Sequence, residues 1–208
     1  MSCKDVHVLK VGGSLLDFPQ LLHVLEQFIA TTNDTNFLLV VGGARSADAV
    51  RIIDKNFGLD EQRAHWLAVR GMSLNAYLLA EILNNAILVH NINECAPVWQ
   101  NNRLAIVEPI AWLEYEEIHG FPVEHCWQFT SDSISAHIAA QLNAPRLTLL
   151  KSTLPDEPLG CPEAAAAIGL VDGKFPEAIR NLQSVTLINA RDASLPAMPL
   201  ETQIQIHA

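Results

Sequence analysis

Two short apolar runs, Val8-Leu9-Lys10-Val11 and Phe37-Leu38-Leu39-Val40-Val41, each stop at a pair of adjacent glycines, Gly12-Gly13 and Gly42-Gly43. Apart from one lysine, neither run alternates with polar residues, so each reads as a strand covered on both faces, as strands of a parallel sheet are. Between them, Asp17 and Pro19 announce a helix in which Leu21, Leu22, Leu25, Phe28 and Ile29 recur at helical spacing. Asn33-Asp34-Thr35-Asn36 then reads as the polar turn that ends it. The result is a strand, helix, strand unit.

The alternation continues. A second helix is expected from Ala44 to about Phe57, closed by Gly58, and a long one from about Asp60 to Asn84 with Ala64, Leu67, Ala68, Gly71, Leu74, Leu78 and Ile82 on one face. Residues 86–89, 104–107, 146–150 and 184–188 read as further strands, and 131–142, 162–168 and 176–182 as helices. Residues 91–103 are polar and read as an irregular edge loop, and 153–162, with three prolines and Gly160, as a loop or lid. This order predicts an α/β fold, a three-layer sandwich around a mainly parallel central sheet, as one domain over 1–208.

With 208 residues, half of them hydrophobic and only 17% charged, the chain is long enough for a sizeable core and too apolar for disorder. A formal charge of −10 repels nucleic acid and anionic membranes as general partners. No apolar run approaches the roughly 18 residues of a membrane span, and Cys3, Cys95, Cys126 and Cys161 show neither metal-site nor disulfide-framework spacing. These features predict a soluble cytoplasmic protein with reduced thiols and no bound metal cluster.

The double-glycine turns carry the chemistry. Glycine lets backbone N–H groups approach an anion, and Lys10, at the end of its strand, adds a movable positive charge, so the two turns can face one phosphoryl group. Ligands gather beyond the carboxyl ends of strands in such sheets, where both turns emerge. Gly12, Gly13 and Ser14 are expected to supply donors to nucleotide phosphates. Asp132, within Thr130-Ser131-Asp132-Ser133, is expected to face Lys10 and keep it charged, while Thr130, Ser131 and Ser133 bond nucleotide or backbone; helix capping explains the same letters. Lys151 ends a strand and is placed to reach a phosphate. Arg45 can grip an acceptor phosphate with its planar fork, which favours a phosphomonoester, or lie on the surface at a helix start; Arg51 reads as part of a solvated helix face.

The two glycine turns and the later Thr-Ser-Asp-Ser segment, in this order and spacing, resemble the amino acid kinase family of aspartate, acetylglutamate, glutamate, uridylate and isopentenyl phosphate kinases. Among small members, His65-Trp66-Leu67-Ala68, Met72 and His125-Cys126-Trp127-Gln128-Phe129-Thr130 are similar to the archaeal-type kinases that act on a furan phosphate in methanofuran synthesis. The resemblance implies an ATP- and Mg²⁺-dependent kinase with Lys10, Asp132 and Lys151 catalytic, and a phosphomonoester as the preferred small-molecule acceptor. It assigns residues 1–120 to the acceptor and 121–208 to the nucleotide, with Gly42, Gly43, Ala44, Arg45 and His65 lining the acceptor side. It implies a homo-oligomer, dimeric or higher. Many members continue the second turn with a third glycine, where this chain has Ala44. Many also carry a nucleotide-holding Val-Asp-Gly segment directly after the strand of Lys151; here Val171-Asp172-Gly173-Lys174 comes later, and Lys174 is either the family's second lysine or a loop lysine. Uridylate- or amino-acid-kinase-like activity, and a catalytically weak nucleotide- or metabolite-binding regulator, are the alternatives.

Overall fold

Among the described residues, seven strands form one sheet in the order β3-β4-β2-β1-β5-β6-β7. They are β1 (Asp5–Val11), β2 (Thr35–Val41), β3 (Ala86–Val89), β4 (Leu104–Val107), β5 (Arg146–Lys151), β6 (Ser184–Asn189) and β7 (Met198–Leu200). All pairings are parallel except that of β7 with β6. The computed structural model describes residues 5–32, 35–192 and 197–202, so Asn33 and Asp34 of the expected polar turn lie outside the described residues. Thr35 and Asn36 of that turn instead begin β2.

The helices are α1 (Leu21–Ala30), α2 (Ala44–Phe57), α3 (Glu61–Ile82), α4 (Cys95–Gln100), α5 (Pro109–Ile118), α6 (Ser131–Gln141), α7 (Pro162–Ala167) and α8 (Phe175–Ala178). Several ends carry the signals the sequence offered. Gly58 closes α2 at φ 64°, and Asp60 accepts from Arg63 N to start α3. Two apolar cores lie on opposite faces of the sheet. One joins Val8, Leu38, Val40, Leu147 and Leu149 to α5, α6 and α8; the other joins Leu9, Val11, Leu39 and Val41 to α1 and the end of α3. This is the three-layer sandwich, and no helix among the described residues is long and apolar enough to cross a membrane.

Four expectations need correction. Residues 91–103 hold a short 3₁₀ turn at Ile92–Glu94 and the helix α4, which the Asn-rich flanks hide. Helix α5 was absent from the sequence reading; Pro109 at its first turn and the Glu108 side chain on Ala111 N are its start signals. The expected helix 176–182 shrinks to the single turn α8. On α3, the stripe Leu67, Leu74, Leu78, Ile82 is exposed, while Val69, Met72, Ala76 and Leu79 are buried. Both stripes are apolar at helical spacing, so periodicity could not choose between them; the buried one also carries His65, Ser73 and Asn75.

Candidate functional site

Strand alternation sets the first part of the site. On β1, Lys10 shares the face of Val8, and on β5, Lys151 shares the face of Leu147 and Leu149, the face that α6 covers. The two lysines therefore approach the start of α6 from neighbouring strands. Lys10 Nζ lies 2.8 Å from Asp132 Oδ1 and Lys151 Nζ lies 2.8 Å from Oδ2. Both are short ion pairs, and the Lys151 contact is also a hydrogen bond donated to Oδ2. Lys10 is 4% exposed and Asp132 6%. Burial pushes the Asp132 carboxyl up, but the ammonium groups of Lys10 and Lys151 outweigh it and hold the group at about 2. Burial, then repulsion from Lys10, brings Lys151 down to about 8 despite the attraction of Asp132. Asp132 is thus an ionised bridge between two cations, unsuited to taking a proton at neutral pH.

The start of α6 is fastened from far along the chain. Thr130, its N-cap, makes no cap bond with its own side chain. Asp172 caps it: Oδ2 accepts from Thr130 N at 3.0 Å, Thr130 Oγ1 at 2.8 Å and Ser133 N at 3.0 Å, while Oδ1 accepts from Ser133 Oγ. Neither Ser131 nor Asp132 is the cap. The Thr130 and Ser133 hydroxyls, expected to bond nucleotide or backbone, donate to Asp172. Ser131 is different: it lies beside Gly42, whose ideal Cβ would fall 3.2 Å from Ser131 Oγ.

The two glycine turns touch. A Cβ on Gly13 would fall 2.5 Å from Ala44 N, and one on Gly42 would fall 2.9 Å from Gly13 N, so side chains here would force the turns apart. Asn75 of α3, buried, donates to Gly42 O at 2.7 Å and Gly43 O at 2.9 Å. It went unrecognised in the sequence, although an amide on a buried helical stripe is a signal that some backbone needs it. Ala44 sits at φ 47°, so the left-handed conformation that a third glycine would favour is adopted by alanine.

Ser14 Oγ donates to Ser152 Oγ at 3.0 Å, and Arg191 Nη2 donates to Ser14 O at 3.0 Å, joining the first turn to the ends of β5 and β6. Arg45 pairs with Asp17 at 2.9 Å, both exposed, and is absent from the cavity wall that begins at Gly43. Lys174 pairs with Glu124 at 2.9 Å and makes no contact with Asp132. Of the two alternatives open for each, Arg45 and Lys174 take the surface one, each paired with a nearby carboxylate.

Beside the second turn is a cavity of about 130 Å³ between α2, α3 and residues 126–134. Of the residues read to the acceptor side, Gly43, Ala44 and His65 line it while Gly42 and Arg45 do not, and Arg51, half exposed on its solvated helix face, also contributes to the wall. Arg51 donates to Asp48 at 2.8 Å and lies over the Trp127 ring at 5.0 Å, while Trp127 Nε1 donates to Asp54 at 2.7 Å. Its wall draws on both sequence halves. Among the described residues no cluster of His, Cys, Asp and Glu is arranged to hold a metal, and in the cleft Asp132 and Asp172 are committed to lysines and to the α6 terminus. The residues present therefore do not fit a protein-ligated Mg²⁺.

Comparison with known proteins fits this geometry. A model described as the amino acid kinase family matches residues 5–153. The chain is 31% identical over 139 residues to the (5-(aminomethyl)furan-3-yl)methyl phosphate kinase of Methanocaldococcus jannaschii, covering 66% of this chain and 62% of that relative. Similar solved structures include the UMP kinase of Ureaplasma parvum, with TM-score 0.67, 15% identity and coverage of 96% of this chain and 100% of that one. The uridylate kinase of Archaeoglobus fulgidus gives 0.61 at 16% identity, covering 96% and 92%. Carbamate kinase from Giardia lamblia gives 0.56 at 11%, covering 97% and 100%. The chain spans about three fifths of the curated relative's length, and with a family match over residues 5–153, a parallel sheet of this order and two touching glycine turns it is a member of the amino acid kinase family.

Proposed function

We propose that the protein transfers the γ-phosphoryl group of ATP to a phosphate oxygen of a small furan-type phosphomonoester, forming a diphosphate and releasing ADP. The carrying observation is a cluster rich in charge compensation, whose carboxylate is ionised and committed to two lysines. Lys10 and Lys151 offset the charge of the transferring group, and Asp132, held at about 2, orients them and takes no proton. An alcohol acceptor needs a base. A phosphate monoester, whose second ionisation lies near 6, arrives already deprotonated. Its oxygen attacks the γ-phosphorus, the bond from that phosphorus to the β–γ bridging oxygen breaks, and ADP leaves with the electron pair.

The acceptor phosphate is placed at the Gly42-Gly43 turn and the start of α2, where backbone donors favour an anion. The nucleotide phosphates are placed at Gly12-Gly13-Ser14. A cavity of about 130 Å³ is small beside ordinary ligand pockets, which supports a single ring over a nucleoside monophosphate. The curated relative is named for a furan phosphate, which supports the same class and a step in methanofuran-type cofactor synthesis. Mg²⁺ enters on this reading with ATP, held by phosphate oxygens.

Steady-state assays of ADP release with Mg-ATP and (5-(aminomethyl)furan-3-yl)methyl phosphate test this directly, with calorimetry of Mg-ATP alongside. Turnover should fall about 10²–10³-fold in Lys10→Ala with the fold intact. A folded wild-type protein that does not bind Mg-ATP would overturn the reading.

A further inference from the structure

Helices α2 and α3 form an antiparallel hairpin around the cavity. Gly43 packs on Ala68 and Met72, and Gly71 packs on Ser46 and Ala47, so these positions are level with the second glycine turn. His65 lies a turn of helix further down α3, and Arg51 eight residues down α2, about 12 Å along its axis from Gly43. A phosphate seated at the turn therefore points the rest of its molecule towards His65 and Arg51.

His65 is 3% exposed and lines this cavity. Its Nδ1 lies 3.3 Å from Cys126 O, a contact that is a hydrogen bond only if Nδ1 carries the proton. Nε2 is then a bare lone pair, and it is buried without a partner. Burial foremost lowers the ring to about 4, with the Cys126 carbonyl opposing and His125 assisting, so the ring is neutral at physiological pH. His125 supplies no partner either: it lies at a ring-centroid distance of 5.1 Å, and its Nε2 is at 2.8 Å from Glu117. A neutral acceptor of this kind repels phosphate oxygens and is completed only by a donor.

We propose that His65 is a specificity-determining residue, whose Nε2 accepts a hydrogen bond from an amine group on the end of the acceptor remote from its phosphate. This rests on the phosphomonoester reading above and adds to it a polarity: phosphate at Gly43, N–H donor at His65. The ring also fixes the tautomer that makes this selection, because Cys126 O holds the only ring proton.

The test compares two acceptors, (5-(aminomethyl)furan-3-yl)methyl phosphate and its 5-methyl counterpart, which has no donor, in the wild type, His65→Phe and His65→Gln. Wild type should prefer the amine in kcat/KM by about 10²-fold, expressed in KM more than in kcat. His65→Phe should reduce that preference to a few-fold, because it lowers kcat/KM for the amine far more than for the methyl compound. His65→Gln, which keeps an acceptor oxygen, should restore part of the preference and serves as the folded control should the Phe variant misfold. Preference retained in a folded His65→Phe, or equal use of both acceptors by wild type, would overturn the role of His65 and leave the phosphomonoester reading standing. Turnover of neither acceptor by a wild-type protein that binds Mg-ATP would overturn both.

Discussion

The two glycine turns lead into regions built on opposite plans. Around Lys10, Asp132 and Lys151 the charges are buried against one another, and the helix that carries Asp132 is fastened by four donors on one carboxylate. Around Gly43, Arg51 and His65 the wall is largely small and apolar, its ion pair is exposed, and a buried ring nitrogen has no partner. The difference teaches where each region spends its order. On the proposed reading, the transferring group would meet charges already in place, as preorganised electrostatic catalysis requires. The recognition end keeps polar capacity in reserve for a ligand.

Charge removal gives the largest expected contrast. Asp132→Asn leaves two buried ammonium groups facing each other without a counter-charge and should cost about 3–5 kcal/mol in urea unfolding, whereas Arg51→Ala, which loses an exposed pair, should cost less than about 1 kcal/mol. Similar losses from the two variants would erase the distinction between the regions.

Alkaline pH separates them next. With Lys151 at about 8, kcat/KM should decline about tenfold per pH unit above that value as the amine loses its charge. Lys151→Arg, charged throughout, should move the decline upward. The stability contribution of Lys151 runs the other way. Between about 8 and the ordinary lysine value of 10.5 the unfolded chain binds the proton that the native one has released, so wild-type stability relative to Lys151→Arg should rise with pH. A profile that is flat through pH 9 in wild type would show that Lys151 keeps its proton or is not needed.

The smallest effect concerns the joint between the regions. Ala44 holds a left-handed backbone at the first residue of α2, so Ala44→Gly should raise stability by about 0.5–1 kcal/mol, net of the greater freedom of glycine in the unfolded chain. A lower melting temperature for that variant would mean that the methyl group is packed more tightly than its backbone is strained.

The same contrast explains what the sequence disclosed. The sheet and the lysine-bearing strands were readable because apolar runs ending in glycine pairs leave few alternatives, and strand alternation then decides which face Lys10 and Lys151 share. Helix α5 and the antiparallel β7 were not, since one lacks a clean apolar stripe and the other is three residues long. The cavity end was harder. Arg45 and Arg51 are both arginines on one helix, and only the positions of Asp17 and Trp127 in space decide that the second faces the cavity. The direction in which α3 turns its two apolar stripes is likewise a property of its neighbours.

Asp172 has a consequence for how the protein must be made. The family match at residues 5–153 includes Lys10, Asp132 and Lys151, yet the carboxylate that ends α6 lies nineteen residues beyond it. A nascent chain that has emerged only as far as β5 holds every charged group of the cluster and still has an unfinished helix terminus beneath them. The cluster should therefore be completed late in synthesis, when the segment after α7 docks, and a fragment cut to the boundaries of the family match would carry Lys10, Asp132 and Lys151 without the clasp on their helix.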